Sequence, residues 1–205
     1  MTSAVIRILL ADDQALIRGA LATMLNLEAG LSVVAQVGSG DEVVPAAEEH
    51  KPDVALIDVQ MPGMDGLHAA AALHRAMPSV RIIICTTFGR PGYLARAMAA
   101  GASGFVVKDA APEYLIDAVR RVHAGLRVVD PGLAAESLVA GSSTLTQRER
   151  EVLVAAATGA TVRDIAGSLH LSEGTVRNHL SSAIGKTGAR TSSEAARIAE
   201  SNGWL

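Results

Sequence analysis

Two adjacent aspartates, Asp12 and Asp13, follow the aliphatic run Ile6 to Ala11, and Asp58 lies at the end of a second run, Asp53 to Val59. A third run, Val80 to Cys85, stops at Thr86-Thr87, and a fourth, Gly104 to Val107, stops at Lys108. Three carboxylates brought together repel one another unless a hard cation neutralises them, and Mg2+ prefers carboxylates, carbonyls and water. A carboxylate held beside such a metal can attack phosphorus. The metal, a lysine ammonium and a threonine hydroxyl would then stabilise the phosphoryl oxygens as charge moves onto them. Taken singly, each residue is a cap, a turn residue or a solvated charge. Their coincidence at four run ends carries the reading.

For that chemistry the run ends must converge, so the elements matter. Apolar residues at spacings of three and four predict a helix over Gln14 to Leu27 (Leu16, Ile17, Ala20, Leu21, Met24, Leu25). Ser32 to Val37 reads as a strand closed by Gly38-Ser39-Gly40, and Asp41 to His50 as a weaker helix with Pro45 early in it. Helices are expected at Leu67 to Met77, Tyr93 to Ala100 and Pro112 to Ala124, between the remaining strands. Five β-α units with nearly unbroken apolar strands imply a doubly wound parallel sheet buried on both faces. Ligands of such sheets bind beyond the carboxyl ends of the strands, where Asp12, Asp13, Asp58, Thr86 and Lys108 lie.

Composition limits the function classes. A 205-residue chain with 49% hydrophobic and 19% charged residues has ample core and is not disordered, and its length suits one large or two small domains. With Phe 2, Tyr 2 and Trp 1, the core is expected to be aliphatic. No run approaches the 18 or so apolar residues of a membrane span, Arg7 breaks the first one, and no secretory signal is expected. The single cysteine, Cys85, excludes an internal disulfide and fits a reducing cytoplasm; it reads as core, with a redox switch as the alternative.

Residues 128–143 change character. Asp130-Pro131-Gly132 could start a short helix, and Gly141-Ser142-Ser143 resembles a flexible joint. The expected organisation is a sheet domain over 1–127, a partly helical linker over 128–143 and a second domain over 144–205. The first 143 residues hold 11 Lys+Arg against 15 Asp+Glu, and the rest 7 against 6, so the second domain tolerates a polyanion better. It has no strand signal. Thr146-Gln147-Arg148-Glu149 is a capping box for a helix to about Ala157, followed by helices over Thr161 to Leu169, Ser172 to Ile184 and Ser192 to Ser201. Two short helices joined by a tight turn have the outline of a helix-turn-helix. Val176, Leu180 and Ile184 would face the core, leaving Arg177, Asn178 and Ser181 outward, with His179 beside the DNA backbone. Arg suits guanine and Asn adenine by bidentate geometry. Arg163, Lys186 and Arg190 are candidate phosphate contacts. About four cations per half-site in a dimer predict a log-log salt slope near −7. Ala195, Ile198 and Ala199 form an apolar strip that could pack on its own domain or on a second copy.

The stretches LLADDQALIRGAL, PDVALIDVQMPGMDGL, IIICTTF and AGASGFVVKDA resemble the receiver domain of bacterial two-component response regulators. LTQREREVL, IAGSLHLSEGTVRNHL and KTGAR resemble the LuxR-type helix-turn-helix of the NarL/FixJ subfamily, and TTFGRPGYLARAMAAGASG is most similar to its lipid-desaturase regulators. The resemblance implies that Asp58 accepts a phosphoryl group from a sensor histidine kinase. It also implies that Asp12, Asp13, Asp58 and the backbone carbonyl of Gln60 hold Mg2+. Lys108 would pair with the phosphoryl group, Thr86 would move to hydrogen-bond it, and Phe105 would be the aromatic switch. Asp109 stands where the family often has proline, and Phe105 lacks a tyrosine hydroxyl. The expected protein is a cytoplasmic transcription factor that turns over only its own phosphoryl group. On phosphorylation it would dimerise and bind double-stranded promoter DNA. The alternative is a phosphorylation-independent helix-turn-helix factor. A turnover phosphatase would need a general acid two residues after Asp58, and Gln60 cannot serve.

Overall fold

The computed structural model describes residues 5–87, 91–130, 132, 134 and 143–205, which fall into two compact units. The first unit alternates strand and helix: β1 (Ile6–Ala11), α1 (Ala15–Leu27), β2 (Leu31–Val37), α2 (Val43–His50), β3 (Val54–Ile57), α3 (Gly66–Ala76), β4 (Arg81–Thr86), α4 (Pro91–Ala99), β5 (Gly104–Val107), α5 (Pro112–His123) and β6 (Val128–Val129). The sheet is parallel, in the order β2-β1-β3-β4-β5-β6. All four residues of β3 and five of the six in β4 are buried, as a parallel sheet covered on both faces requires. On one face Ile8, Leu10, Leu56, Ile83 and Val106 pack with Leu25 of α1 and with Leu115, Val119 and Val122 of α5. The intervening Leu9, Ile57, Ile82, Ile84 and Phe105 point the other way and are also buried.

Two local differences from expectation have physical causes. The sheet has a sixth strand: Val128 pairs with Gly104 and Val129 with Phe105, within the segment expected to be linker. Two residues carry no periodicity, and only the open edge of β5 makes them a strand. The segment around Pro45 begins as a 3-10 turn, Gly40–Glu42, before α2, so Pro45 falls in the first helical turn, where its missing N–H costs no bond. Of the expected linker helix, Gly132 and Ala134 are described, both helical, with the Gly132 N–H donating to Asp130 Oδ1 at 2.8 Å. The expected joint at Gly141-Ser142 lies outside the described residues.

The second unit is helical: α6 (Gln147–Ala157), α7 (Val162–Ser168), α8 (Glu173–Thr187) and α9 (Ser192–Ser201). Each start is set by a local side-chain cap. Thr146, Thr161, Ser172 and Thr191 accept from the N–H of Glu149, Asp164, Thr175 and Glu194. Leu145, Leu153, Ala183, Ala195, Ala196 and Ala199 form one small core, and Val152, Ile165, Ala166 and Val176 another. Ala195 and Ala199 of the expected strip are therefore buried in their own unit, and Ile198 is half-buried. Between α7 and α8 the chain reverses at His170, φ 53°, where the N–H of Leu171 bonds to the carbonyl of Ala166. This is a Schellman turn with histidine in the place usually held by glycine. Among the described residues no helix is long and apolar enough to cross a membrane.

Candidate functional site

Backbone bonds that continue the sheet ladder past the strand ends hold the two buried aspartates and the lysine in place. Asp12 N–H donates to the carbonyl of Val37 (3.1 Å), Asp58 N–H to Ala11 (2.8 Å) and Lys108 N–H to Thr86 (2.8 Å). Carboxylate oxygens of Asp12, Asp13 and Asp58 lie within 4.8 Å of one another, Asp13 exposed and the other two buried. Lys108 Nζ sits 2.7 Å from Asp12 Oδ2 and 3.0 Å from Asp58 Oδ2, its side chain only 8% exposed. The other carboxylate oxygens of Asp12 and Asp58 have backbone donors: Gln14 N–H to Asp12 Oδ1 (2.9 Å) and Val59 N–H to Asp58 Oδ1 (2.7 Å). Burial pushes the Asp58 carboxyl above its ordinary range although Lys108 pulls it down. Burial alone would lower Lys108, but the two aspartates outweigh it and hold the ammonium above its ordinary value.

Thr86 is buried at the end of β4. Phe105 is fully buried on β5, opposite Ile84. Gln60 is exposed two residues beyond Asp58. Cys85 is buried and its thiol pushed up to about 12 by that burial, which suits core rather than a reactive thiolate. The structure thus brings together Asp12, Asp13, Asp58 and Lys108, with Thr86 bonded through its carbonyl to Lys108.

Other residues support this cluster without having been singled out. Arg18 Nη1 donates to the carbonyl of Asp12. Asp41 Oδ2 accepts from Met64 N–H (3.1 Å), and Gly66 N–H donates to the carbonyl of Val59 (2.9 Å), clamping the loop after Asp58. A Cβ added at Gly66 would overlap the carbonyl oxygen of Asp58, so any side chain here would force the backbone to shift. The turn-rich MPGMDG was the visible signal for that loop; nothing in the sequence ties Asp41 to it.

On the second unit, Arg177, Asn178 and Ser181 are exposed on α8, and His179 is half-buried. Arg177 makes an exposed contact with Glu173 (2.7 Å), a surface pair easily given up. Arg163 and Arg190 are exposed. Lys186 is exposed as well, but its Nζ lies 2.7 Å from Oε2 and 2.9 Å from Oε1 of the buried Glu149. Lys186 is thus ion-paired within its own unit.

Residues 8–120 match the response regulator receiver domain family, and residues 143–199 match the luxR family of bacterial regulatory proteins. The chain is a NarL/LuxR-family response regulator. It is 42% identical over 200 residues to the transcriptional regulatory protein YvfU of Bacillus subtilis (strain 168), covering 98% of this chain and 100% of that one. To the transcriptional regulatory protein DesR of the same organism it is 40% identical, covering 98% and 99%. Among solved structures, the response regulator ChrA of a heme-sensing two-component system is 30% identical, with a TM-score of 0.60 and coverage of 99% and 100%. The response regulator is accordingly a DNA-binding transcription factor with a receiver unit and a LuxR-type helix-turn-helix.

Proposed function

We propose that the regulator accepts a phosphoryl group on Asp58 from the phosphohistidine of a sensor histidine kinase, and that the phosphorylated form dimerises and binds promoter DNA. The observation that carries this reading is the placement of Asp58 Oδ2 between a carboxylate cluster and Lys108 Nζ. Oδ1 is occupied by the Val59 N–H, so Oδ2 supplies the electron pair for the new P–O bond. The P–N bond breaks toward the imidazole, which leaves with a proton. Lys108 then exchanges an aspartate partner for a phosphoryl oxygen, and the Thr86 hydroxyl donates to another. Phe105 fills the space beside it through packing alone.

The donor set suits Mg2+, since the three side chains offer only hard carboxylate oxygens at one spot; the Gln60 carbonyl would be a fourth ligand, as the family resemblance implies. When bound, Mg2+ supplies positive charge that offsets repulsion among the carboxylates and the incoming phosphoryl oxygens. The same residues return Asp58 to its free form by hydrolysis, and the regulator turns over no other substrate. In the second unit, Arg177, Asn178 and Ser181 face base edges, while Arg163, Arg190 and His179 face the DNA backbone. The cytoplasm is the expected compartment.

The test is phosphate-affinity gel mobility with Mg2+ and acetyl phosphate, wild type against Asp58→Ala, with size exclusion on the same samples. A retarded band that disappears in the variant and accompanies dimer formation is the expected result. No retardation of the wild type, with operator affinity unchanged in Asp58→Ala, would overturn it in favour of a phosphorylation-independent factor.

A further inference from the structure

Four helix starts in the second unit carry a side-chain cap, and one of them does something the others do not. Asp164 and Glu194 complete their caps at the surface or half-buried, bonding only to residues three or four away. Thr175 meets Ser172 in the same local way. Glu149 is 4% exposed, and besides the Thr146 N–H (2.7 Å) its carboxylate takes donors from across the unit. Ser182 Oγ donates to Oε1 at 2.6 Å, and Lys186 Nζ reaches both oxygens at 2.9 and 2.7 Å. A cap alone needs neither the burial nor these partners. Burying a carboxylate is costly unless every lone pair is met, and here α8 meets them.

Ser182 and Lys186 stand four apart, on one face of the last two turns of α8. The apolar contacts under α8 are made by Val176 and Ala183, both small, with Leu180 and Ile184 only half-buried. Such packing is non-directional and would let the helix turn or slide. Short charge-assisted bonds are directional. Arg177, Asn178 and Ser181 share this helix, and a rotation of α8 would swing all three together.

We propose that Glu149 is a positioning residue for DNA recognition: through Ser182 and Lys186 it fixes the rotation and height of α8 on α6, and Lys186 serves this tie rather than a DNA phosphate. The inference rests on α8 being the helix that reads base edges.

The test uses the full-length protein treated with acetyl phosphate, and the variants Glu149→Gln, Lys186→Met, Lys186→Arg and the Glu149→Gln/Lys186→Met double. The probes are a short duplex selected from a random pool with the wild type, and poly(dI-dC). Binding is measured across a salt series, well below the melting transitions recorded by circular dichroism. Glu149→Gln and Lys186→Met should each weaken the selected duplex by about tenfold, equivalent to about 1.4 kcal/mol, and leave poly(dI-dC) within about twofold. The double variant should be no worse than either single one, Lys186→Arg should recover most of the loss, and the salt slope should not move. Should Glu149→Gln not fold, Ser182→Ala and Lys186→Met carry the same comparison. Equal losses on both DNAs, or wild-type binding with only a lowered melting temperature, would make the carboxylate merely structural and overturn the inference. So would a salt slope shallower by about one unit in Lys186→Met alone, which is the signature of a phosphate contact. No wild-type preference for any selected duplex would instead overturn the reading of α8 itself, and the inference with it.

Discussion

Asp58 depends on a residue with no side chain. The first turn of α3 passes so close that a Cβ on Gly66 would meet the Asp58 carbonyl oxygen, a backbone atom that no rotamer change can move aside. Gly66→Ala should therefore cost the receiver about 1–3 kcal/mol, the usual range for overpacking, and slow acetyl phosphate labelling. Urea unfolding followed by far-UV circular dichroism, with labelling rates alongside, checks it; an unchanged midpoint and rate would show that the loop yields freely. His170 presents the opposite case. Its φ of 53° strains an L-residue, and its backbone already makes the bonds of a glycine-type helix end. His170→Gly should raise the stability of the second unit by about 0.5–1 kcal/mol, the left-handed strain less the extra freedom of glycine in the unfolded chain. A lowered melting transition would mean that the imidazole contributes a contact worth more than the strain.

Between elements, the tie from α6 to α8 sets a pH dependence. Burial alone would raise the Glu149 carboxyl, but Lys186, Ser182 and the Thr146 N–H outweigh it and bring it from 4.5 down to about 2. A carboxyl depressed by folding contributes stability that is fully present above its unfolded value and lost as pH falls through the folded one. The second unit should thus lose roughly 3 kcal/mol as pH drops from about 4.5 to about 2, at about 1.4 kcal/mol per pH unit. Glu149→Gln should flatten that part of the profile in thermal melts taken across the range. A slope equal to that of wild type would assign the acid sensitivity to other carboxylates. In the sheet, β6 extends the pairing of β5 beside the strand that carries Phe105, so the receiver edge is one strand wider than its β-α repeats alone would make it.

For the whole molecule, charge is sparse where DNA must bind. Residues 144–205 hold 7 Lys+Arg against 6 Asp+Glu, so affinity rests on where a few cations stand rather than on a general basic field. If Lys186 stays with Glu149 as proposed, the proposed DNA-facing cations in each copy are Arg163, Arg177 and Arg190, all exposed. A phosphorylated dimer should then show a log-log salt slope near −5 rather than −7, at about −0.9 per contact. Electrophoretic mobility shifts at a series of salt concentrations measure it. A slope near −7 would return Lys186 to the DNA.

By itself the sequence determined what is local. Strand runs ending in Asp12-Asp13, Asp58, Thr86 and Lys108 were legible because a buried parallel strand is a short aliphatic run, and its polar end is the next residue along. The starts of α6 to α9 were legible because Thr146, Thr161, Ser172 and Thr191 cap within three residues. The tertiary structure alone decided what depends on distant neighbours. Lys186 reads as a free surface cation until Glu149, 37 positions away, is folded beneath it. Asp41 reads as a turn residue until the loop carrying Met64 reaches it, 23 positions on. Val128 and Val129 become a strand only because β5 offers unpaired carbonyls and N–H groups. Periodicity and caps act over three or four residues, whereas the partner of a buried charge or of a sheet edge is set by how the whole chain packs.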